Sequence, residues 1–280
     1  MKIAISTLPF RAWSLEEVLQ CCRQAGYDGL EIRMDFHRWS DTALPDSHYR
    51  SMYSQIQEAG LCISNLGSGI VLAEDSDKDL HDLERSFEIA DLLHTKGVRI
   101  MLGHIRLSRR APMLALDFPG ILRWLAKADA LAGKYQKEVW IETHNEFATG
   151  RSLAQLYQEI SLANTRIVWD IMHPLEQREP IKETLTLIKE HLAHVHIKDG
   201  LPWDDPEPLI WKYTPLGEGI IPIAKILDML HQAGYKGFFS LEWESAWRKE
   251  LAVLNCDKEE IQKFPRCLKD AVNGFSALNV

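Results

Sequence analysis

Short apolar runs recur along the chain, each followed by a stretch whose apolar positions return every three or four residues. The runs Lys2–Ser6, Gly29–Arg33, Cys62–Leu66, Val98–Gly103, Val139–Thr143, Arg166–Asp170, Ala193–Lys198 and Phe238–Trp243 predict strands. The periodic segments Leu15–Ala25, Ser47–Ala59, Leu80–Thr95, Ile121–Tyr135, Leu153–Leu162, Ile181–Glu190, Ile223–Ala233 and Glu259–Asn273 predict helices. Ser14, followed three residues later by Glu17, supplies a capping box for the first helix. Two near-copies, "QAGYDGLEI" (24–32) and "QAGYKGFFSLE" (232–242), each run from helix end through glycine into strand. Gly26 and Gly234 suit the left-handed position past a helix end, which a residue with a Cβ resists. Strands alternating with helices at roughly 30–40 residues per unit predict an α/β fold, a (β/α)8 TIM barrel. No linker composition divides the chain, so residues 1–280 form one barrel domain in this reading. A two-domain doubly wound sheet is the alternative, because strand order is not visible in sequence.

In such a barrel, chemistry sits where strands end and βα loops begin. The last four strands end in "VWIETH", "RIVWD", "HVHIKD" and "FFSLEWE", placing Glu142, Asp170, His196 and Glu242 at or near their C-terminal ends. Side chains alternate faces along a strand. Glu142 therefore shares its face with Trp140 and His144, His196 with His194 and Lys198, and Glu242 with Ser240 and Glu244. The opposite face carries Val195, Ile197, Leu241 and Trp243, which suit the layer beneath the helices, so the polar set faces the barrel axis. Each carboxylate taken alone would ordinarily be a helix cap or a salt-bridge partner. Four successive strands with matching parity point instead to a shared site. Converging carboxylates repel unless a cation joins them. None of the four positions is Arg or Lys, and one histidine is too little. A divalent metal, one ion per chain, answers this. The mixed oxygen and nitrogen set suits Mn²⁺ first, with Mg²⁺, Co²⁺ and Zn²⁺ as alternatives. His173, on the loop just after Asp170, is placed to lean over the same pocket and hold a substrate hydroxyl or orient a carboxylate.

Further residues are candidate substrate contacts. Lys198 suits an oxyanion, a substrate carboxylate or a salt bridge, and His144 lies on the Glu142 face. Glu31 and His104 close the second and fourth strand units as candidate hydroxyl contacts. Trp13, Trp203, Trp211 and Trp247 fall in loops above the strand ends, where they would wall a sugar or pack as a lid. "GEG" (217–219), ahead of Pro222, is a poor phosphate cradle because Glu218 stands in its middle. A net charge of −8 offers no basic footprint for nucleic acid. Five cysteines without a C-x-x-C pair predict free thiols in a reducing compartment. "MKIAIS" already reads as a strand and no apolar run is membrane-length, so the expectation is a cytoplasmic protein with no membrane partner; homo-oligomerisation stays open.

With these residues in view, "IETHN", "WDIMH", "HVHIKD", "PLGEG" and "GFFSLEWE" resemble, in order, the motifs of the xylose isomerase-like TIM barrels. That family includes sugar and sugar-phosphate isomerases and epimerases such as the ketose 3-epimerases. "LEWE" followed by Trp247 also resembles the end of many members. The resemblance implies Glu142, Asp170, His196 and Glu242 as metal ligands, Glu142 and Glu242 as the acid/base pair, and His173 as a substrate contact. It implies proton transfer through an enediolate of a small polyhydroxylated carbonyl compound. The outcome would be epimerisation or aldose–ketose isomerisation, with inosose-type dehydration or a non-catalytic metal-binding barrel as alternatives. The chain departs from the 3-epimerases in two places. "KDGLPWDD" lacks their arginine, and Ala148 stands where they carry a second glutamate. Repair endonucleases of the same fold need a larger His/Asp set for three zinc ions, and the Asp-x-His expected after 193–198 is absent.

Overall fold

The computed structural model describes residues 1–108, 110–205, 208 and 210–276. The chain runs β1 (Lys2–Ser6), α1 (Leu15–Ala25), β2 (Gly29–Arg33), α2 (Asp46–Glu58), β3 (Cys62–Leu72), α3 (Asp77–Leu92) and β4 (Gly97–Leu102). It continues through α4 (Phe118–Tyr135), β5 (Glu138–Glu142), α5 (Gly150–Glu159), β6 (Thr165–Asp170), α6 (His173–Glu176), α7 (Ile181–Ile188) and β7 (Leu192–Ile197). It ends with β8 (Asp199–Leu201), β9 (Lys212–Thr214), α8 (Ile223–Gln232), β10 (Phe238–Leu241), α9 (Lys249–Ala252) and α10 (Asp257–Ser276). Eight parallel strands close in the order β1-β10-β7-β6-β5-β4-β3-β2, while β8 and β9 form a separate antiparallel pair. This is the (β/α)8 barrel that the alternation predicts.

Local chemistry explains the boundaries. The Ser14–Glu17 capping box forms in both directions, and α1 ends at Gly26 with φ 85°. Gly234 past α8 has φ 77°, so both near-copies close on a left-handed glycine. Helices α3 and α4 start about a turn before their apolar periodicity, because Ser76 and Asp117 cap polar or proline-bearing first turns. Strand β3 runs past its expected end at Leu66. Its pairing with β4 slips between Gly67 and Val71, where Gly69 takes φ 82°.

Outward side chains such as Ile3, Ile5, Leu30, Ile32, Ile141 and Trp169 are buried under the helices. At the amino-terminal side of the barrel, Trp140 fills the axis against His194, with ring centroids 5.8 Å apart. Gly97 makes that fit possible, since a Cβ there would meet the Trp140 ring at 2.1 Å. Among the described residues no helix is long and apolar enough to cross a membrane.

The "PLGEG" loop is filled by the chain itself. The Asp199 carboxylate accepts from the amides of Gly200 (2.8 Å), Gly217 (2.9 Å), Gly219 (3.1 Å) and Ile221 (3.2 Å). The amides of Glu218 and Ile220 donate to the carbonyls of Pro215 and Gly200. A phosphate would have to displace this carboxylate, which accounts for the weak cradle signal. Asp199→Ala is expected to cost about 1–3 kcal/mol by leaving several amides unpaired. Denaturant midpoints test this. Gly219→Ala should be comparably harmful, because its Cβ would fall 2.1 Å from Asp199 Oδ1.

Candidate functional site

The face parity places the polar residues at the barrel axis. Ligand-capable atoms of Glu142, Asp170, His196 and Glu242 lie within 4.8 Å of one another, on β5, β6, β7 and just past β10. All four residues are buried. His196 Nε2–H donates to Glu31 Oε2 (2.7 Å), while its Nδ1 faces Glu142 Oε1 (3.1 Å) and Glu242 Oε2 (3.4 Å). Burial alone would neutralise this ring. Glu31, Glu242 and Glu142 outweigh it and raise the His196 pKa well above the usual range.

The expectation that these carboxylates lack a protein cation is corrected. Arg99, midway along β4, reaches Glu142 Oε2 (2.5 Å) and Glu31 Oε1 (3.1 Å). Lys198 sits 2.6 Å from Asp170, 2.5 Å from Glu242 and 2.9 Å from Glu244, and Arg248 pairs with Glu244 at 2.9 Å. Of the roles open to Lys198, the structure gives it the salt-bridge geometry. Five carboxylates joined in this network face three permanent cations. With His196 protonated, as its raised pKa implies, an excess of one negative charge remains.

That excess is visible in individual groups. Burial, with Glu242 and Glu142 nearby, pushes the Asp170 carboxyl up to about 6 although Lys198 opposes it. Burial also works against ionised Glu142, but Arg99 and His196 outweigh it and hold its pKa at about 2. Asp170 Oδ2 and Glu242 Oε2 are buried without a hydrogen bond. Lys198 lies at ion-pair distance from both, out of line for hydrogen bonding. Three converging carboxylates, one oriented imidazole and a net negative charge fit a divalent cation. A second group, Glu31, His194 and His196, shares the His196 ring. Glu31 is committed there to Arg99 and His196, so it braces the ring from below. Glu31 is fully buried and does not reach the cavity above, contrary to its expected role as a hydroxyl contact.

His173 leans back towards Asp170 and lines the cavity above. Its Nδ1–H donates to the Thr143 carbonyl (2.5 Å), and its Nε2 lies 3.6 Å from Asp170 Oδ2. Burial and Lys198 lower its pKa to about 4, so the ring is neutral. Above it opens a cavity of about 390 Å³. One wall is polar, with His104, His144, His173, Glu176 and Arg248. The other is apolar, from Ile105, Leu107, Met113 and Leu114 on the loop between β4 and α4. The cavity lining contains no tryptophan, so the expected aromatic wall is aliphatic. Trp247 is half-exposed against Phe36, with centroids 5.1 Å apart. Trp13 packs on Phe10, and the Trp211 amide donates to Glu176.

Arg99, Arg248 and Glu176 escaped sequence reasoning. The one signal for Arg99 was a charged residue inside the apolar run "GVRIML". Arg248 and Glu176 lie in loop or short helix, where no periodicity fixes a direction.

A family model described as xylose isomerase-like TIM barrel matches residues 19–263. The chain belongs to that family. An uncharacterized protein of Methanocaldococcus jannaschii is 31% identical over 96 residues, 34% of this chain and 31% of the relative's length. The chain thus matches about a third of that relative. Among solved structures, a zinc-bound IOLI protein superposes with TM-score 0.77 at 18% identity, over 98% of this chain and 99% of the other. The probable 3-DHS dehydratase AsbF of Bacillus anthracis gives 0.72 at 18%, covering 95% and 99%. The 3-keto-D-glucoside 4-epimerase YcjR of E. coli gives 0.69 at 20%, covering 91% and 98%. At these identities the likeness is one of fold.

Arg99→Met strips two buried carboxylates of their shared cation, and it is expected to cost about 3–5 kcal/mol. Chemical denaturation measures the loss. A cost below about 1 kcal/mol would show that His196 suffices to hold Glu31 and Glu142.

Proposed function

We propose that the chain is a divalent-metal-dependent sugar isomerase or epimerase, built as one barrel domain, with Glu142 and Glu242 as its proton shuttle. The observation that carries this is the convergence of three buried carboxylates and His196, whose ligand-capable atoms lie within 4.8 Å of one another. Glu142, Asp170, His196 and Glu242 would hold the ion, with Mn²⁺ the first choice and Mg²⁺, Co²⁺ or Zn²⁺ compatible with the donor set. When bound, the metal supplies Lewis-acid polarisation of a carbonyl and its neighbouring hydroxyl.

The protein supplies the rest. One glutamate takes the proton from the carbon beside the carbonyl, leaving an enediolate. The same or the other glutamate returns it. Return to the opposite face gives an epimer, and return to the neighbouring carbon interconverts aldose and ketose. Loss of a β-hydroxyl instead gives dehydration, a reading favoured by the likeness to a dehydratase of this fold. A barrel that binds metal without catalysis is the remaining alternative. His173 accepts from a substrate hydroxyl through its neutral Nε2, while His144 and His104, which line the cavity, are assigned as further substrate contacts, and Lys198 and Trp247, outside its lining, are not. The partner is a small polyhydroxylated carbonyl compound. The net charge of −8 and the free thiols support a cytoplasmic enzyme without a nucleic-acid or membrane partner.

Elemental analysis should find one divalent ion per chain, and Asp170→Ala and His196→Ala should lose it. Uptake of Mn²⁺ should weaken as pH falls through about 6, where a proton begins to occupy Asp170. Metal content no higher in the native protein than in those variants would remove the site.

Glu142→Gln and Glu242→Gln should each slow turnover by ~10²–10⁴-fold. Metal must be measured alongside rate. Free ketoses, aldoses, inososes and their phosphates, incubated with Mn²⁺ in D₂O and followed by NMR, should take up deuterium beside the carbonyl. The position of the label separates epimerase from isomerase, and loss of water identifies a dehydratase. Conversion with every C–H retained would overturn the shuttle.

A further inference from the structure

The polar wall of the cavity is almost wholly committed to the protein. Arg248 donates to Glu244 (2.9 Å) and to Tyr213 (3.0 Å), His144 Nδ1 faces Asn145 Oδ1 (2.7 Å), and His173 is tied to the Thr143 carbonyl. Glu176 differs. It closes the short helix α6, three residues after His173, and its Oε1 accepts from the Trp211 amide (2.7 Å). No further hydrogen bond or ion pair to a described residue holds the Glu176 carboxylate, and the residue lines the cavity.

We propose that the Glu176 carboxyl, anchored by the Trp211 amide beside His173 and Arg248, is a substrate-binding hydrogen-bond donor for an oxygen of the sugar remote from the metal-ligand set. This rests on the reading of the cavity as the sugar site.

The donor role requires a protonated acid, and the surroundings supply one. Burial, reinforced by Asp170, pushes the Glu176 pKa up to about 8, against the Trp211 amide, Lys198 and Arg248. The charged or titratable groups around it are Asp170 at the end of β6, His173 on its own helix, Lys198 after β7, Tyr213 on β9, and Glu244 and Arg248 after β10. His104, Arg106, His144 and Glu146 line the same cavity, with Arg106 Nε donating to the Ala111 carbonyl. Arg248 is neutralised by Glu244, and Lys198 by three carboxylates, so neither is free to pair with ionised Glu176. A neutral carboxyl offers its carbonyl oxygen to Trp211 and its hydroxyl to the cavity. Such a donor would favour a substrate oxygen that only accepts, such as a carbonyl or ring oxygen, as well as a hydroxyl. Ionisation would turn that wall from donor to acceptor. For an oxygen that only accepts, the sign follows directly: binding is full while the carboxyl is protonated and weakens as pH rises through about 8.

The test uses the full chain loaded with Mn²⁺, with Glu176→Gln and Glu176→Leu beside the native protein. Difference infrared spectra, native minus Glu176→Gln, should show a protonated-carboxyl band at pH 7 that fades through about pH 8. 1,5-Anhydroxylitol, an unreactive cyclic polyol whose ring oxygen can only accept, serves as the binding probe in calorimetric or NMR titrations at pH 7 and 9. The native protein should bind it about 5–10-fold more weakly at pH 9, the effect of losing one hydrogen bond. Glu176→Gln keeps an N–H donor that does not titrate and should bind equally at both pH values. Glu176→Leu should be weak at both. A difference spectrum without the band at pH 7 overturns the proposal, as does a Glu176→Gln protein with the native pH dependence. Absence of 1,5-anhydroxylitol binding at any pH, with the band present, overturns the sugar reading of the cavity and the donor role with it. Absence of the band while 1,5-anhydroxylitol still binds overturns the Glu176 assignment alone.

Discussion

Charge pairing along the barrel axis is the constraint on which the rest of the structure depends. Carboxylates from β2, β5 and β6 and from beyond β10 are brought out of water into a space walled by apolar strands. Each would be intolerable alone. Arg99 answers two of them at once, tying β4 to β2 and β5, and Lys198 answers three. The pairing is incomplete by one charge even with His196 protonated, and the deficit falls at the end of the barrel where chemistry is expected. Hydrophobic burial outside the sheet must therefore carry the stability, because buried ion pairs roughly break even against their desolvation.

How far the sequence foretells this arrangement depends on which physical signal each residue carries. Strand ends and inward faces are legible because one face of each strand must be apolar to meet the helices. Val195, Ile197 and Leu241 thus fix the direction of His196 and Glu242 without knowledge of any partner. Helix starts are less legible, since caps such as Asp117 precede the apolar period. The β8–β9 pair is shorter than any period, at three residues a strand, and leaves no pattern to detect. Counter-charges are the least legible of all. Nothing in "GVRIML" says whether Arg99 faces water or a carboxylate, because that depends on β2 and β5, distant in sequence.

The cavity illustrates the same limit. Tryptophans in loops suggest an aromatic wall, yet loop side chains answer to neighbours that sequence does not name. Trp13 packs on Phe10 and Trp247 on Phe36, leaving aliphatic residues of the 103–117 loop to face the polar wall. The resulting cavity is asymmetric. A ligand with its oxygens on one side and C–H surface on the other fits that asymmetry better than one polar all round.

His173 joins the two layers. Its ring lies between Asp170 below and the cavity above, and its edge meets His144 with centroids 4.6 Å apart. The Thr143 carbonyl holds the Nδ1 proton and so selects the tautomer. Thr143 is itself fixed by β6, since its hydroxyl accepts from the Asp170 amide at 2.9 Å. The backbone that presents Asp170 to the buried set therefore also sets, through Thr143, which nitrogen of His173 is free. Any displacement of β6 would disturb the carboxylate and the imidazole together. A residue three positions beyond a strand end is thereby held as firmly as the strand itself, which is what a site dependent on one proton position requires.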